Sequence, residues 1–256
     1  RSVAGTPGAE RIDDVFLKCC VNGVRLPSEH PALPVTAAEL GRDAARVVAA
    51  GADALHVHAK DDAGRDALDP TAVATALTAI RSAAAGLPVG VTTGAWIDPD
   101  PAARVASIRA WTVLPDFASV NWHEQGSQDV AAALLERGVG VEAGLWVLDD
   151  VEPWLASPLR DSCMRVLIEL PEGPDPSSVG ALADQMLARV REGTVGRIPV
   201  LLHGEASYAW PALRHAVTLG LQARIGLEDV LTLPDGSPAP NNAALVSAAR
   251  AVGDSR

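Results

Sequence analysis

A (β/α)8 TIM barrel is the fold this sequence predicts, because short β-rich runs alternate about eight times with longer Ala/Leu/Arg-rich amphipathic stretches, without a linker or low-complexity break. A second observation agrees: polar side chains gather at the downstream ends of the β-rich runs, where this fold assembles its active sites. Third, 256 residues at 48 % hydrophobic content supply enough apolar material for one large core, so 1–256 reads as a single domain.

The first strand is expected over 15–21. It runs into Asn22-Gly23-Val24-Arg25, which is not the glycine-rich phosphate turn that a doubly wound open sheet would carry there. Helix 37–50 starts on a capping-box pattern, Thr36 with Glu39, and stops at Gly51. Strand 54–58 ends in His56-Val57-His58, helix 70–84 follows, and strand 89–93 ends in Thr92-Thr93. After helix 101–111, strand 117–121 ends on Asn121, with His123 and Glu124 just beyond. Helix 129–137 stops at Gly138, and strand 140–144 is expected to bring Glu142 to the barrel mouth. A short irregular piece, 148–156, leads to strand 165–169, which ends on Glu169. Helix 177–191, strand 199–203 with His203 and nearby Glu205, and helix 210–219 before Gly220 continue the order. Strand 224–228 carries Arg224 and Glu228 with Asp229 next, and helix 242–251 completes it.

The formal charge of -11 argues against nucleic acid or an anionic membrane as partner. No stretch reaches the roughly 18 apolar residues of a membrane span, and Arg1-Ser2-Val3-Ala4-Gly5 lacks the apolar block of a signal peptide, which predicts a cytoplasmic protein. Cys19, Cys20 and Cys163 are an odd set, two of them adjacent in a strand where their side chains diverge, so buried free thiols are expected.

His56 and His58 are the most informative pair. Residues two apart on a strand point to one side, so both imidazoles can converge on one point. A carboxylate from another strand end would complete a His/His/Glu set that suits zinc and leaves a position open for water or substrate. Two histidines hydrogen-bonded at a sheet rim would show the same spacing. Trp96, Trp122, Trp146 and Tyr208 lie just beyond strand ends and could wall a pocket for an acyl chain or pantetheine arm, or pack under loops. Arg104 and Arg109 could meet the phosphates of a ligand, but their helical setting favours solvated side chains.

Six blocks in order over nearly the whole chain carry a family resemblance. They are Val21-Asn22-Gly23, 30–36 (His-Pro-Ala-Leu-Pro-Val-Thr), 56–61 (His-Val-His-Ala-Lys-Asp), Val91-Thr92-Thr93-Gly94, His203-Gly204-Glu205 and 224–229 (Arg-Ile-Gly-Leu-Glu-Asp). Through them the chain resembles the zinc-dependent β-keto acid cleavage enzymes, which include 3-keto-5-aminohexanoate cleavage enzyme. The resemblance implies a barrel that assembles as a homo-oligomer, a dimer or tetramer, with Zn2+ at its mouth. It also implies a reaction in which a small-molecule β-keto acid and acetyl-CoA become acetoacetate and a new acyl-CoA. Carried over by residue, it implies zinc ligands His56, His58 and Glu228, with Asp229 as the base that removes the α-proton. Arg224 would stand beside Asp229, and Glu142 would position Arg224. Thr92 would bind substrate carboxylate, with Thr93 and Asn121 as further substrate contacts.

Regular strand geometry puts Arg224 and Glu228 on one face and Asp229 on the other, so a bend is expected at Glu228-Asp229. Three departures from the family stand out. Lys60 replaces an arginine common in relatives, keeping charge but losing bidentate geometry. The fourth-strand end, 120–126, differs from the relatives' version. Arg25 stands where the aminohexanoate-cleaving enzyme is expected to hold a carboxylate, so the charge is reversed; Arg25 would select substrate, or else pair with Glu29. Two other classes stay open. An amidohydrolase-type zinc hydrolase also uses a barrel and an HxH, though normally on its first strand with a closing Asp. The other is a non-catalytic acyl-CoA- or metabolite-binding relative that kept the barrel and metal, against which the intact Arg224, Glu228 and Asp229 argue.

Overall fold

A computed structural model describes residues 15–194 and 198–252. Its strands are β1 (Leu17–Cys20), β2 (Ala54–Val57), β3 (Val89–Thr92), β4 (Phe117–Asn121), β5 (Gly140–Leu145), β6 (Arg165–Leu170), β7 (Val200–Gly204) and β8 (Gln222–Ile225). Each pairs in parallel with its successor and β1 pairs with β8, closing the sheet in chain order. The intervening helices are α1 (Ala37–Ala49), α2 (Pro70–Ala83), α3 (Pro101–Ala110), α4 (Ser127–Glu136), α5 (Val151–Leu155), α6 (Val179–Gly193) and α7 (Ala209–Thr218), with α8 (Asn242–Arg250) after β8. The (β/α)8 barrel is therefore present.

Local chemistry sets the boundaries. Thr36 and Glu39 form the expected reciprocal capping box at α1. Gly51, Gly138 and Gly220 follow α1, α4 and α7 with positive φ. The irregular piece resolves into a 3-10 turn, Leu148–Asp150, followed by the short α5. All three cysteines are buried free thiols.

Two differences from the sequence reading bear on function. β8 ends at Ile225 instead of reaching Glu228, so Glu228 and Asp229 lie in a turn beyond the strand. The chain bends at Gly226, earlier than expected: Asp229 N and Val230 N both donate to Gly226 O, at 2.9 and 3.0 Å. A side chain at 226 would collide with the carbonyl of Cys20, so glycine lets the turn lie against β1.

The second difference concerns Glu142. β5 continues to Leu145, which leaves Glu142 in mid-strand, below the mouth. There its carboxylate pairs with Lys18 Nζ at 2.7 Å and Arg165 Nε at 3.1 Å, all three side chains nearly or fully buried. Arg165 also stacks over the Phe16 ring at 4.5 Å. Glu142 thus neutralises an ionic layer inside the barrel and does not position Arg224 as the sequence implied. Removing one partner of such a network leaves uncompensated buried charge. Glu142→Ala should lower unfolding free energy by about 3–5 kcal/mol, read from the urea midpoint; a midpoint within experimental error of wild type would contradict the assignment.

Candidate metal centre and active site

The end of β2 brings His56 and His58 to the mouth, both buried, with ring centroids 5.4 Å apart. Asn22, at the end of β1, holds the second histidine by its backbone: its Oδ1 accepts from His58 N at 2.9 Å and its Nδ2 donates to His58 O at 3.0 Å. Glu228 crosses from the turn after β8, its N donating to Cys20 O. Gly23, at φ +58, leaves the space it needs: a Cβ there would stand 2.5 Å from Glu228 Cγ. On the other side Asn242 accepts from Leu227 N at 2.7 Å and donates to Val21 O and Asp43, tying the turn to α8 and β1.

One ligand atom each from His56, His58 and Glu228 lie within 4.8 Å of one another. His56 Nδ1 and Glu228 Oε2 are buried and have no hydrogen-bond partner among the described residues. Buried polar atoms left this way are costly, and a cation would satisfy them. Burial, and then the neighbouring His58, push His56 well below the usual imidazole range, which favours the neutral form that binds metal. Two imidazoles and a carboxylate suit zinc with a free coordination position, so the three residues fit the ion that the sequence implied.

His58 has a further partner that sequence reasoning missed. Asp66 Oδ2 lies 2.9 Å from His58 Nδ1 and accepts from Trp96 Nε1 at 2.9 Å, while Oδ1 accepts from Lys60 Nζ at 2.5 Å. Burial raises the Asp66 carboxyl, but the bonds from His58, Lys60 and Trp96 outweigh it and hold the group at about 2. Trp96 stacks on His58, centroids 5.8 Å apart. The available signal was Asp61-Asp62-Ala63-Gly64, a turn-forming run that folds 60–66 into a hairpin with Lys60 bridged to Asp66.

Beside the metal ligands, Arg224 Nη2 donates to Asp229 Oδ1 at 2.6 Å and to Glu228 Oε1 at 3.1 Å. The turn places both acidic side chains on this one guanidinium. Asp229 Oδ2 is buried with no hydrogen-bond partner among the described residues. Burial lifts the Asp229 carboxyl above the ordinary range, with Arg224 and then His203 opposing. His203 Nδ1 lies 3.8 Å from Asp229, and His203 Nε2 lies 3.1 Å from Glu169, which is itself 3.9 Å from Arg224. Glu169, not Glu142, is the barrel glutamate nearest Arg224 among the described residues. Glu205, just after β7, is pushed up to about 7 by burial and then by Asp229.

The predicted substrate contacts divide. Thr92 is buried and its Oγ accepts from Gly94 N at 3.3 Å. The Thr93 hydroxyl donates to Ser119 O at 2.7 Å, which joins β3 to β4 and leaves only its acceptor lone pairs for another partner. Asn121 donates to Glu124 and accepts from Trp146 Nε1, at 2.9 and 3.2 Å. Arg25 takes the second of the two expected courses: Nη1 donates to Glu29 at 3.0 Å, while Nε donates to Leu227 O at 2.6 Å and so braces the turn that carries Glu228. Arg104 is fully buried on Glu124 and Gln125 O instead of solvated, and Arg109 pairs at the surface with Glu136.

Two cavities adjoin these residues. A groove of about 530 Å³ runs past Val24, Leu26, Lys60, Asp66 and Trp96. An apolar cavity of about 230 Å³ is walled by Trp146, Leu170, Met186 and Tyr208. No helix among the described residues is long and apolar enough to cross a membrane.

Similar solved structures are barrels. A ternary complex of ObcA with a C4-CoA adduct and oxalate superposes with a TM-score of 0.68 at 18 % identity, covering 86 % of this chain and 63 % of that one. A binary complex of ObcA with oxaloacetate gives 0.66 at 19 % identity, with 86 % and 63 % covered. Dihydrodipicolinate synthase from Agrobacterium tumefaciens strain C58 gives 0.53 at 13 % identity, with 84 % and 70 % covered. At these identities the likeness concerns the fold, and the chain spans less than two thirds of ObcA's length. No curated protein matches the chain by sequence. The family model for beta-keto acid cleavage enzymes matches residues 14–144 and 162–255, which include the His56, His58 and Glu228 cluster and the Arg224–Asp229 pair. The chain belongs to the beta-keto acid cleavage enzyme family.

Proposed function

We propose that this protein is a zinc-dependent acyltransferase that condenses a β-keto acid with acetyl-CoA, giving acetoacetate and a new acyl-CoA. The observation that carries the reading is the juxtaposition of two sets of unsatisfied buried atoms. Among the described residues, His56 Nδ1 and Glu228 Oε2 are ligand atoms with no partner, and Asp229 Oδ2 is a carboxylate oxygen with no donor. Zinc held by His56, His58 and Glu228 would supply Lewis-acid stabilisation of enolate charge on the substrate's keto and carboxylate oxygens.

Asp229 is the base in this account. Arg224 fixes one oxygen and so aims the other, Oδ2, at the α-carbon. Burial makes that carboxylate a stronger base than one in water, which brings its proton affinity closer to what general-base catalysis at neutral pH requires. The carbanion attacks the thioester carbonyl of acetyl-CoA and expels CoA thiolate. The thiolate then attacks the original keto carbon; the carbon–carbon bond breaks, releasing the new acyl-CoA and the acetoacetate carbanion, which takes the proton back from Asp229 to give acetoacetate. Thr92 would donate its hydroxyl to the substrate carboxylate, and Asn121 would border the keto acid's far side with Trp146. The apolar cavity beyond Trp146 would take an apolar substituent. The ligands of the ObcA complexes, a C4-CoA adduct and oxaloacetate, are of the proposed chemical classes. The same reading takes the protein to be a cytoplasmic homo-oligomer, a dimer or tetramer, as the family resemblance implies.

The test is to incubate zinc-loaded protein with acetyl-CoA and a panel of β-keto acids, following acetoacetate and acyl-CoA together. Equimolar appearance of both from at least one keto acid is expected. Hydrolysis of acetyl-CoA or of the keto acid without the second product would contradict the reading.

A further inference from the structure

We infer that Asp66 is a positioning residue for the metal: it sets the tautomer and orientation of His58 and thereby the affinity of the site. The inference rests on the metal reading above. Asp66 comes from the hairpin after β2, outside the His/His/Glu set, and reaches the centre only through the ring it holds. A carboxylate engaged by Lys60 and Trp96 can only accept, so His58 Nδ1 must carry its proton and donate. The lone pair is then left on Nε2, the nitrogen that faces Glu228 at 3.7 Å. An ionised acceptor also raises the basicity of the imidazole toward a cation on its other side.

The arrangement restrains Asp66 as well as His58. Its two oxygens are shared among three donors from different segments: the β2 extension through Lys60, the β2 end through His58, and the loop after β3 through Trp96. Lys60 also donates to Gly23 O at 2.7 Å, and Gly23 is the residue that makes room for Glu228. Asp66 therefore couples both strand ends that supply ligands. Trp96 covers the face of His58 while remaining 47 % exposed, closing the centre toward the 530 Å³ groove.

The experiment measures Zn2+ affinity by chelator competition, and the visible spectrum of the Co2+-substituted protein, in the full chain. Asp66→Ala should weaken Zn2+ binding about ten- to a hundred-fold and shift the Co2+ bands, which report ligand geometry. Asp66→Asn, which keeps an oxygen for His58 Nδ1–H but turns its amide toward Lys60 or Trp96, should fall between that variant and wild type in both readouts. Circular dichroism of the metal-free proteins should be unchanged. His56→Ala is the control that separates the two claims. If His56→Ala loses Zn2+ while Asp66→Ala binds it with wild-type affinity and an unshifted Co2+ spectrum, the role of Asp66 is refuted and the metal centre stands. If His56→Ala also binds like wild type, the metal reading itself fails, and this inference with it.

Discussion

Purified His56→Ala and Glu228→Ala proteins should carry essentially no zinc, against about one ion per chain for wild type. Each substitution would remove one of the three ligands proposed among the described residues. The loss should exceed that from an orienting partner such as Asp66, so affinity is expected to fall by more than roughly a hundred-fold. Stability provides a second readout through linkage: zinc at about a hundred times its dissociation constant stabilises the folded state by about 2.7 kcal/mol, so zinc should raise the melting temperature of wild type but not of either variant. Full occupancy in both variants, measured by elemental analysis after dialysis, would contradict the ligand assignment.

The other large effect is expected at Asp229. Asp229→Asn should keep its zinc and its fold yet exchange the α-hydrogens of a β-keto acid with D2O about 10²–10⁴-fold more slowly than wild type, because an amide cannot take the proton. Exchange isolates the first chemical step and needs no acetyl-CoA. The substitution leaves an oxygen that can still accept from Arg224, so failure through loss of that contact is minimised. Wild-type exchange in this variant would assign Asp229 to holding Arg224 in place and move the base elsewhere, with Glu205 the next carboxyl to examine.

Most of the barrel was legible because strand and helix differ in period and because this fold repeats one unit. The ends of elements were less so. The candidate ligands His56 and His58 could be named from spacing, since a strand alternates its faces, and Glu228 from the family blocks; the three side chains do come together. The β8 end was misjudged by a few residues because a pattern of alternating side chains does not reveal where hydrogen bonding to the neighbouring strand stops; the close approach of Gly226 to Cys20 decides that. Glu142 was expected at the mouth although strand 140–144 already ran past it; what engages it, Lys18 and Arg165 from the neighbouring parts of the barrel, is a set of contacts that alternation along one strand does not reveal. Asp66 went unnoticed because it reaches His58 by a hairpin, and a contact made by a turn leaves only turn-forming residues in the sequence. Arg25 illustrates a different limit: its charge was visible, but whether solvent, Glu29 or a backbone carbonyl would receive it depended on a turn some two hundred residues away.

The central claim is that carbon–carbon bond exchange between a β-keto acid and acetyl-CoA takes place at this one site, and isotope tracing tests it most directly. With acetyl-CoA labelled with ¹³C at both acetyl carbons and an unlabelled β-keto acid, the account predicts acetoacetate labelled only at its keto and methyl carbons, together with an unlabelled new acyl-CoA. Acetoacetate carrying no label, or label appearing in free acetate alone, would contradict it.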